Sequence, residues 1–308
     1  MTAPDLAYVA LAVDEPEASA AIFEKDFQLP RQDFACGGSR VPVVSVGRSA
    51  LALFRPDDPF LGPDAKKGVH HMAIAATDPE AAADASGIAR AGGVSEGLGG
   101  GPQVALSPEA TGGVRTRLAA PLGVGPGSSG MIERIDHLGV ASADNGAARE
   151  AFIDRLGCVY ESQQTDSETE TISENFTSDT YNYIFHTRPS HLVGSMRVTF
   201  ITVGDTELEF IQDLTTGNEV DAARHDAAGN TRGDRSAIAR YIASRGAGLH
   251  HIAFKTPDVA ESLAKLRAAG HRTIDTMGRP GSRRALIGFM HPTMIGGVLM
   301  HFVQREEV

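Results

Sequence analysis

Four side chains able to bind a metal or transfer a proton lie in short, otherwise apolar segments of the second half of the chain. His137 lies in the segment RIDHLGVAS and His251 in GLHHIAFKT, while Glu209 and His301 lie in two further strand-like stretches. An inward-facing imidazole or carboxylate in an apolar strand is costly unless it is paired or bound to a metal. Imidazoles and a carboxylate suit a divalent metal such as Fe, Mn, Co, Ni or Zn. We therefore predict that the four side chains share one such ion.

The elements that must position these residues occur four times along the chain. A short strand with alternating apolar residues begins at each of the segments 6–13, 68–76, 134–142 and 248–256, and a polar helix start and an alanine-rich helix follow it. Such alternation is typical of a β-strand, and a regular internal repeat indicates a repeated structural unit. Further strand-like stretches such as 196–212 follow the helices. Each repeat therefore predicts a βαβββ module, and four modules predict two α+β domains.

A segment rich in glycine, proline and serine separates the two pairs of modules. This segment, PLGVGPGSSGM (121–131), is typical of a linker. We therefore predict an N-terminal domain over 1–125 and a C-terminal domain over 131–308. The third module is longer than the others, and its polar segments 161–195 and 214–247 are predicted to be inserted loops. They are either solvated loops or a lid over the site, since long ordered loops are often functional.

The bulk composition excludes several classes of protein. The chain has 308 residues and a formal net charge of −11, which disfavours binding to nucleic acid. Its two cysteines, Cys36 and Cys158, do not make a disulfide framework, so a reducing cytoplasm is the simplest expectation. We find neither a signal peptide nor an apolar run long enough to span a bilayer, and we expect no membrane partner.

The second half resembles methylmalonyl-CoA epimerase and its glyoxalase relatives, in the vicinal oxygen chelate superfamily of glyoxalases, bleomycin-resistance proteins and extradiol dioxygenases. The resemblance rests on RIDHLGVA, GLHHIAF and the run GFMHPTMIGGVLMHFVQ. It covers 131–308, and the βαβββ repeat extends it to 1–130. It implies two glyoxalase-like domains with curved, mostly antiparallel sheets.

The same resemblance implies that His137, Glu209, His251 and His301 are metal ligands. His301 stands where the relatives usually have a glutamate, which in the epimerase and in glyoxalase I is also a catalytic base. His301 can therefore ligate the metal, or act as a base with a pKa near neutrality. We expect Glu209 and His301 to be the catalytic residues.

The first half provides an internal comparison. Alignment of its repeats with those of the second half places Tyr8, Ala52, His71 and Arg117 opposite the four expected ligands. One ligand type of the four survives, so we expect a degenerate site in the N-terminal domain and a structural role for His71. A silent half paired with a metal-bearing half resembles the extradiol dioxygenases and 4-hydroxyphenylpyruvate dioxygenase.

Three other histidines lie near these segments. His70 and His250 precede the aligned histidines, and strand alternation turns them to the opposite face, where we expect packing or surface roles. His291 precedes the last strand. We expect a local structural role for it, with a contact to substrate as the alternative.

Further substrate contacts are possible in two other segments. Arg283 and Arg284 are expected to face solvent, with binding of a substrate carboxylate or phosphate as the alternative. Tyr183, together with Tyr181 and His186, lies in the inserted segment 161–195 and could approach the site.

The resemblance implies a substrate with two neighbouring oxygens, which the metal binds as a Lewis acid while it stabilises an enolate. Glu209 supplies a carboxylate that the dioxygenases lack at that place. We therefore expect an isomerase, epimerase or lyase that acts on a 2-oxo acid, a hydroxyacid or an acyl thioester. The alternatives are a non-haem Fe(II) dioxygenase of the extradiol or 2-oxo acid type and a binding protein that sequesters its ligand. The chain is expected to be a monomer or a homodimer.

Overall fold

The computed structural model describes residues 4–215 and 237–306. Much of the polar segment 214–247 that was predicted to be an inserted loop therefore lies outside the described residues. None of the helices in the described part of the chain is long and apolar enough to cross a bilayer.

The first half forms one mixed sheet of eight strands. They are β1 (Leu6–Ala12), β2 (Arg31–Cys36), β3 (Ser39–Val46), β4 (Ser49–Phe54), β5 (Gly68–Ala75), β6 (Arg90–Glu96), β7 (Pro102–Leu106) and β8 (Thr116–Ala119). Their order across the sheet is β2-β3-β4-β1-β5-β8-β7-β6. The helices are α1 (Pro16–Lys25) and α2 (Pro79–Ser86), which follow the first strand of each module.

The second half repeats this arrangement. Its strands are β9 (Arg134–Ala141), β10 (Val159–Glu170), β11 (Ser173–Ser178), β12 (Asn182–Thr187), β13 (His191–Val203), β14 (Thr206–Asp213), β15 (Gly248–Lys255), β16 (Arg279–Pro280), β17 (Leu286–Met290) and β18 (Met300–Gln304). Eight of them form the order β10-β13-β14-β9-β15-β18-β17-β16, and β11 pairs with β12 alone. The helices are α3 (Asn145–Arg149), continued by a π-helical turn (Glu150–Arg155), α4 (Ala237–Arg245) and α5 (Val259–Ala268). The four predicted βαβββ modules and the α+β class are confirmed.

Both sheets are mostly antiparallel, with the parallel pairs at their centres. Strand β1 pairs in parallel with β4 and antiparallel with β5, which pairs in parallel with β8. In the second sheet, β9, β14, β15 and β18 repeat this pattern. The central strand β1 is buried along its whole length. Strands covered on both faces have nearly continuous apolar sequences, which explains why the alternation expected from the sequence is incomplete in β1.

The two halves share one hydrophobic core. Phe23 and Phe27 of α1 contact Phe254 of β15, with ring centroids 6.2 and 6.4 Å apart. Phe27 also contacts Phe302 of β18, at 6.1 Å. Aromatic side chains contribute large apolar areas to such a core. Helix α1 therefore packs against the sheet of the other half, and the linker predicted over 121–131 joins two parts that bury apolar surface together.

Segment 161–195 was predicted from the sequence to be a loop, but it forms β-strands instead. Strands β10 and β13 pair along its two ends, and β11 and β12 form a hairpin between them. The prediction failed because the segment is polar: both of its faces are largely exposed, so no apolar alternation marks the strands. Phe176, Tyr183 and Phe185 are large exposed side chains on this hairpin.

Candidate metal centre

The four predicted ligands come from four strands that are neighbours in the second sheet. Glu209 lies on β14, His137 on β9, His251 on β15 and His301 on β18. Gly139 of β9 is the register partner of both Glu209 and His251. The strand pairing therefore sets the four side chains next to one another at the centre of the sheet.

The side chains converge at short range. His137, His251 and His301 each offer one ring nitrogen, and these nitrogens lie within 4.8 Å of one another. Oε2 of Glu209 lies 3.2 Å from Nε2 of His137 and 3.7 Å from Nε2 of His251. All four residues are at most 6% exposed. The structure thus brings together the residues that the sequence analysis singled out.

This donor set fits a divalent metal. Both ring nitrogens of His301 are buried without a hydrogen-bond partner among the described residues. Buried polar atoms are nearly always hydrogen-bonded, because an unpaired one retains the cost of its lost hydration. Three imidazoles beside a carboxylate are the ligand types that Zn, Fe, Ni, Co and Mn take in proteins. Coordination would satisfy the nitrogens that the protein leaves unpaired.

Without a metal, the centre carries an internal ion pair. Burial alone would lower the pKa of His137, but the charge of Glu209 and the hydrogen bond to Asp136 outweigh it and raise that pKa to about 9. Burial would raise the pKa of Glu209, but the charge of His137 holds it well below its usual range. Burial and the two neighbouring histidines lower the pKa of His301 well below its usual value. At neutral pH, Glu209 is therefore ionised, His137 is protonated and His301 is neutral.

Two of the histidines have a partner behind the ring. Nδ1 of His137 lies 2.8 Å from Oδ1 of Asp136, and Nδ1 of His251 lies 2.9 Å from Nδ1 of His250. His250, which was expected on the opposite face in a packing or surface role, lines the cavity beside His251 instead. The pairing of β15 with β9 shifts register between Leu249 and His251, and such a bulge redirects side chains. In the sequence, these partners are marked by the histidine directly before His251 and by the aspartate directly before His137.

A cavity of about 600 Å³ opens onto the centre. Most of its lining is apolar, with Phe200, Ile238, Leu299 and Val303 among the residues. Phe289 lies against His301, with ring centroids 4.5 Å apart. A pocket of this size with a few convergent polar groups is typical of a small-molecule site.

Comparisons with known proteins concern the family and the fold of the chain. The sequence profile of the Glyoxalase/Bleomycin resistance protein/Dioxygenase superfamily matches residues 136–289, which is half of the chain. The chain belongs to this superfamily. The superfamily includes metal-dependent enzymes. In this vicinal oxygen chelate chain, the match covers three of the four converging residues and ends before His301.

Individual relatives are similar over different parts of the chain. The uncharacterized protein YqjC of Bacillus subtilis (strain 168) is 24% identical over 175 residues, which cover 57% of this chain and 94% of that protein. A variant of 4-hydroxymandelate synthase from Streptomyces coelicolor covers 100% of this chain and 94% of its own, with a TM-score of 0.61 and 16% identity. Methylmalonyl-CoA epimerase from Mycobacterium tuberculosis covers 58% of this chain and 93% of its own, with a TM-score of 0.39 and 20% identity. The likeness to the synthase supports the fold of both halves.

Among the described residues of the first half of the vicinal oxygen chelate chain, there is no matching ligand set. Strand register pairs Ala10 with both Ala52 and His71, as Gly139 pairs with Glu209 and His251 in the second half. Ala73 likewise pairs with Arg117, as Ala253 pairs with His301. The predicted alignment of Tyr8, Ala52, His71 and Arg117 with the four ligands is therefore confirmed.

In the first half, the guanidinium of Arg117 lies at the position that corresponds to His301. Arg117 donates to the carbonyl of Phe60 at 2.7 Å and to Oε1 of Gln103 at 3.2 Å, and it lies 4.4 Å above the Phe60 ring. Nδ1 of His71 lies 2.8 Å from Nδ1 of His70, and its ring meets Tyr8 edge-on at 5.7 Å. Burial raises the pKa of Tyr8 to about 12, so its hydroxyl stays neutral. These contacts agree with the structural role expected for His71.

Three residues considered for substrate binding lie outside the cavity. Tyr183 is 62% exposed on the β11–β12 hairpin, where its hydroxyl donates to Asn175. Nδ1 of His291 accepts from the backbone N–H of Thr293 at the start of a 3₁₀ turn, which is the local role that the sequence favoured. Arg284 is exposed. The sequence did not predict where these side chains lie. Tyr183 is on a long polar hairpin, and Arg284 is in a turn with a left-handed backbone.

Arg283, which was expected to face solvent, lines the cavity instead. It forms two hydrogen bonds to Glu207, one of them at 3.1 Å, and its guanidinium lies 3.6 Å from the centroid of the Phe200 ring. Its φ is 54° and that of Arg284 is 58°. A left-handed backbone is uncommon for residues other than glycine, so the sequence did not indicate a turn that directs Arg283 inward.

Proposed function

We propose that this chain is a metal-dependent enzyme of the isomerase, epimerase or lyase type, which removes a proton beside a carbonyl of a 2-oxo acid or a hydroxyacid. The observation that carries the proposal is the convergence of three buried histidines and the ionised Glu209 in the wall of a cavity. A divalent cation held there would act as a Lewis acid on two neighbouring substrate oxygens and favour an enolate.

The protein residues divide the remaining work. We assign His137, His251 and His301 to hold the cation, because their ring nitrogens form the mutually close set. Glu209 adds a carboxylate oxygen on the side of His137 and His251. We assign proton transfer to Glu209, since a carboxylate within reach of the substrate can act as a general base. Phe289 and the apolar wall surround the centre with a medium of low polarity, which strengthens electrostatic interactions inside the site.

The cavity supports a compact substrate. Its apolar lining suits an apolar body next to the two oxygens. Asp166, Glu168 and Asp213 also line it. Arg279, Arg283 and Arg305 line the same cavity and supply positive charge for a substrate carboxylate. A volume of about 600 Å³ suits a compact 2-oxo acid or hydroxyacid better than a much larger coenzyme-A thioester.

Exchange of the substrate's α-proton tests the proposal. Metal-depleted protein, and protein restored with Mn, Co, Ni, Zn or Fe(II), would be incubated in D₂O with a panel of 2-oxo acids and hydroxyacids, and exchange would be followed by NMR. We expect exchange in a restored sample, none in the depleted one, and a loss in Glu209→Gln. His186→Asn removes an imidazole from the exposed hairpin and serves as the matched control. Exchange that persists after complete metal removal would overturn the proposal.

A second candidate is a non-haem Fe(II) dioxygenase. His137, His251 and Glu209 provide two imidazoles and one carboxylate at short range, the donor set of many Fe(II) oxygenases. Oxygen uptake by the Fe(II)-loaded protein with catechols and 2-oxo acids, without proton exchange, would favour this candidate over the first.

A further inference from the structure

The two histidines on the central strands have unlike partners behind their rings. His251 is backed by the imidazole of His250, at 2.9 Å. His137 is backed by the carboxylate of Asp136, at 2.8 Å. In both histidines Nδ1 meets the partner, and Nε2 lies on the side of Glu209. Asp136 is therefore the one acidic group behind a ring of the centre, among the residues that the structure describes.

Asp136 is a costly residue to bury. It is 0% exposed, between the core residues Ile135 and Leu138 and next to His137 in β9. A buried carboxylate is destabilising unless cations and hydrogen bonds compensate it. Arg305 lies 3.3 Å from its Oδ2 and Arg134 lies 3.5 Å from the same atom. Two arginines therefore compensate the negative charge of this buried carboxylate, whose other oxygen contacts His137.

Arg305 forms an ion pair with Asp136 and also binds a second carboxylate. Its Nη2 donates to Oε2 of Glu207 at 3.1 Å, and Glu207 is the register partner of His137 on the neighbouring strand. Glu207 is itself held by Arg283 from the cavity wall. The network therefore links Asp136, which faces the ring of His137, to a side chain that borders the cavity.

The first half of the chain lacks this arrangement. By the register described above, Tyr8 corresponds to His137, so the preceding residue Ala7 corresponds to Asp136. The matching strand β1 is complete and fully buried with alanine at that position. The carboxylate therefore accompanies the histidine ligand and is not a requirement of the strand.

We propose that Asp136 is a positioning residue of the metal centre. Its carboxylate accepts the hydrogen on Nδ1 of His137, which leaves the lone pair of Nε2 directed at the shared centre, and Arg305 keeps that carboxylate in place. Carboxylates behind ligating histidines fix the tautomer and the ring orientation and raise the basicity of the ligand. The inference rests on the proposed function, because it requires a metal at the three histidines.

Titration with Co²⁺ measures this role without a substrate. In Asp136→Ala, we expect the affinity for Co²⁺ to fall by about 10- to 100-fold, the usual cost of losing such a partner. Asp136→Asn should lose less, because its carboxamide oxygen can still accept from Nδ1. The matched control is Asp26→Asn, since Asp26 pairs with His271 at 2.7 Å far from the centre. This control should bind Co²⁺ as the wild type does.

A second readout covers the case in which Asp136→Ala does not fold. In the Zn²⁺-loaded wild type, the Nδ1–H proton of His137 should resonate far downfield, as a charge-assisted hydrogen bond requires, and Asp136→Asn should move it upfield. An unmoved resonance in Asp136→Asn would overturn the positioning role, as would unchanged Co²⁺ affinity in Asp136→Ala. A wild type that binds no metal would instead contradict the metal centre itself, and the positioning role with it.

Discussion

The ring of His251 packs directly against the backbone of Gly139 on the neighbouring strand. A Cβ built on Gly139 would overlap Cε1 and both nitrogen atoms of this ring. The two residues are register partners on β9 and β15, so the ring crosses the strand at the point where a side chain is absent. Gly139 therefore provides the space in which one proposed metal ligand lies.

Substitution of Gly139 by alanine should displace the ring of His251. Forcing an extra carbon into a packed site costs about 1–3 kcal/mol, and the displacement should weaken Co²⁺ binding at least tenfold by isothermal titration, which corresponds to about 1.4 kcal/mol. In the first half Ala10 holds the matching position, so Ala10→Gly is the control: it should change the free energy of unfolding while metal affinity stays the same. If Gly139→Ala binds Co²⁺ with wild-type affinity, the space at Gly139 is not required for the ring of His251 to coordinate the metal.

Metal binding near neutral pH should release a proton. In the metal-free protein the pKa of His137 is raised to about 9 by Glu209 and Asp136, against burial, which would lower it, and a metal takes the neutral imidazole. Calorimetry in buffers of different ionisation enthalpy should show about one proton released per metal at about pH 7, and less as the pH rises past about 9. Binding at neutral pH without proton release would contradict the ion pair between Glu209 and His137.

Arg117 should stabilise the first half without any part in metal binding. Its guanidinium makes partly buried hydrogen bonds to Phe60 and Gln103. Arg117→Ala would leave those acceptors unpaired, and since they are partly buried the cost should be about 1 kcal/mol for each, the lower end of the range for buried groups. We expect a lower free energy of unfolding in urea and an unchanged metal content. A fall in metal content with the fold intact would mean that the first half also holds metal.

The β11–β12 hairpin should be dispensable for metal binding. Asp166 and Gly194, on the strands β10 and β13 that lead to the hairpin, line the cavity. Tyr183 and Phe185 on the hairpin itself are exposed. Replacing 172–188 by a short turn should leave Co²⁺ affinity and α-proton exchange as they are. A marked loss of exchange with normal Co²⁺ affinity would instead support the lid function considered from the sequence.

The repeated strands and helices of the sequence sufficed to predict the modules, and the resemblance to glyoxalase relatives added the convergence of His137, Glu209, His251 and His301. The sequence could not predict what depends on distant partners or on irregular backbone. Arg305 meets Asp136 from the far end of the chain. The bulge beside His250 and the left-handed backbone of Arg283 redirect side chains in ways that regular alternation does not encode.

The most direct test of the central claim is an anomalous difference map, recorded at the absorption edge of the metal from crystals of the metal-loaded protein. One peak per chain is predicted, within bonding distance of a ring nitrogen of His137, His251 and His301 and beside the carboxylate of Glu209. A metal bound elsewhere, or no peak among these three histidines in a protein that has taken up metal, would contradict the account.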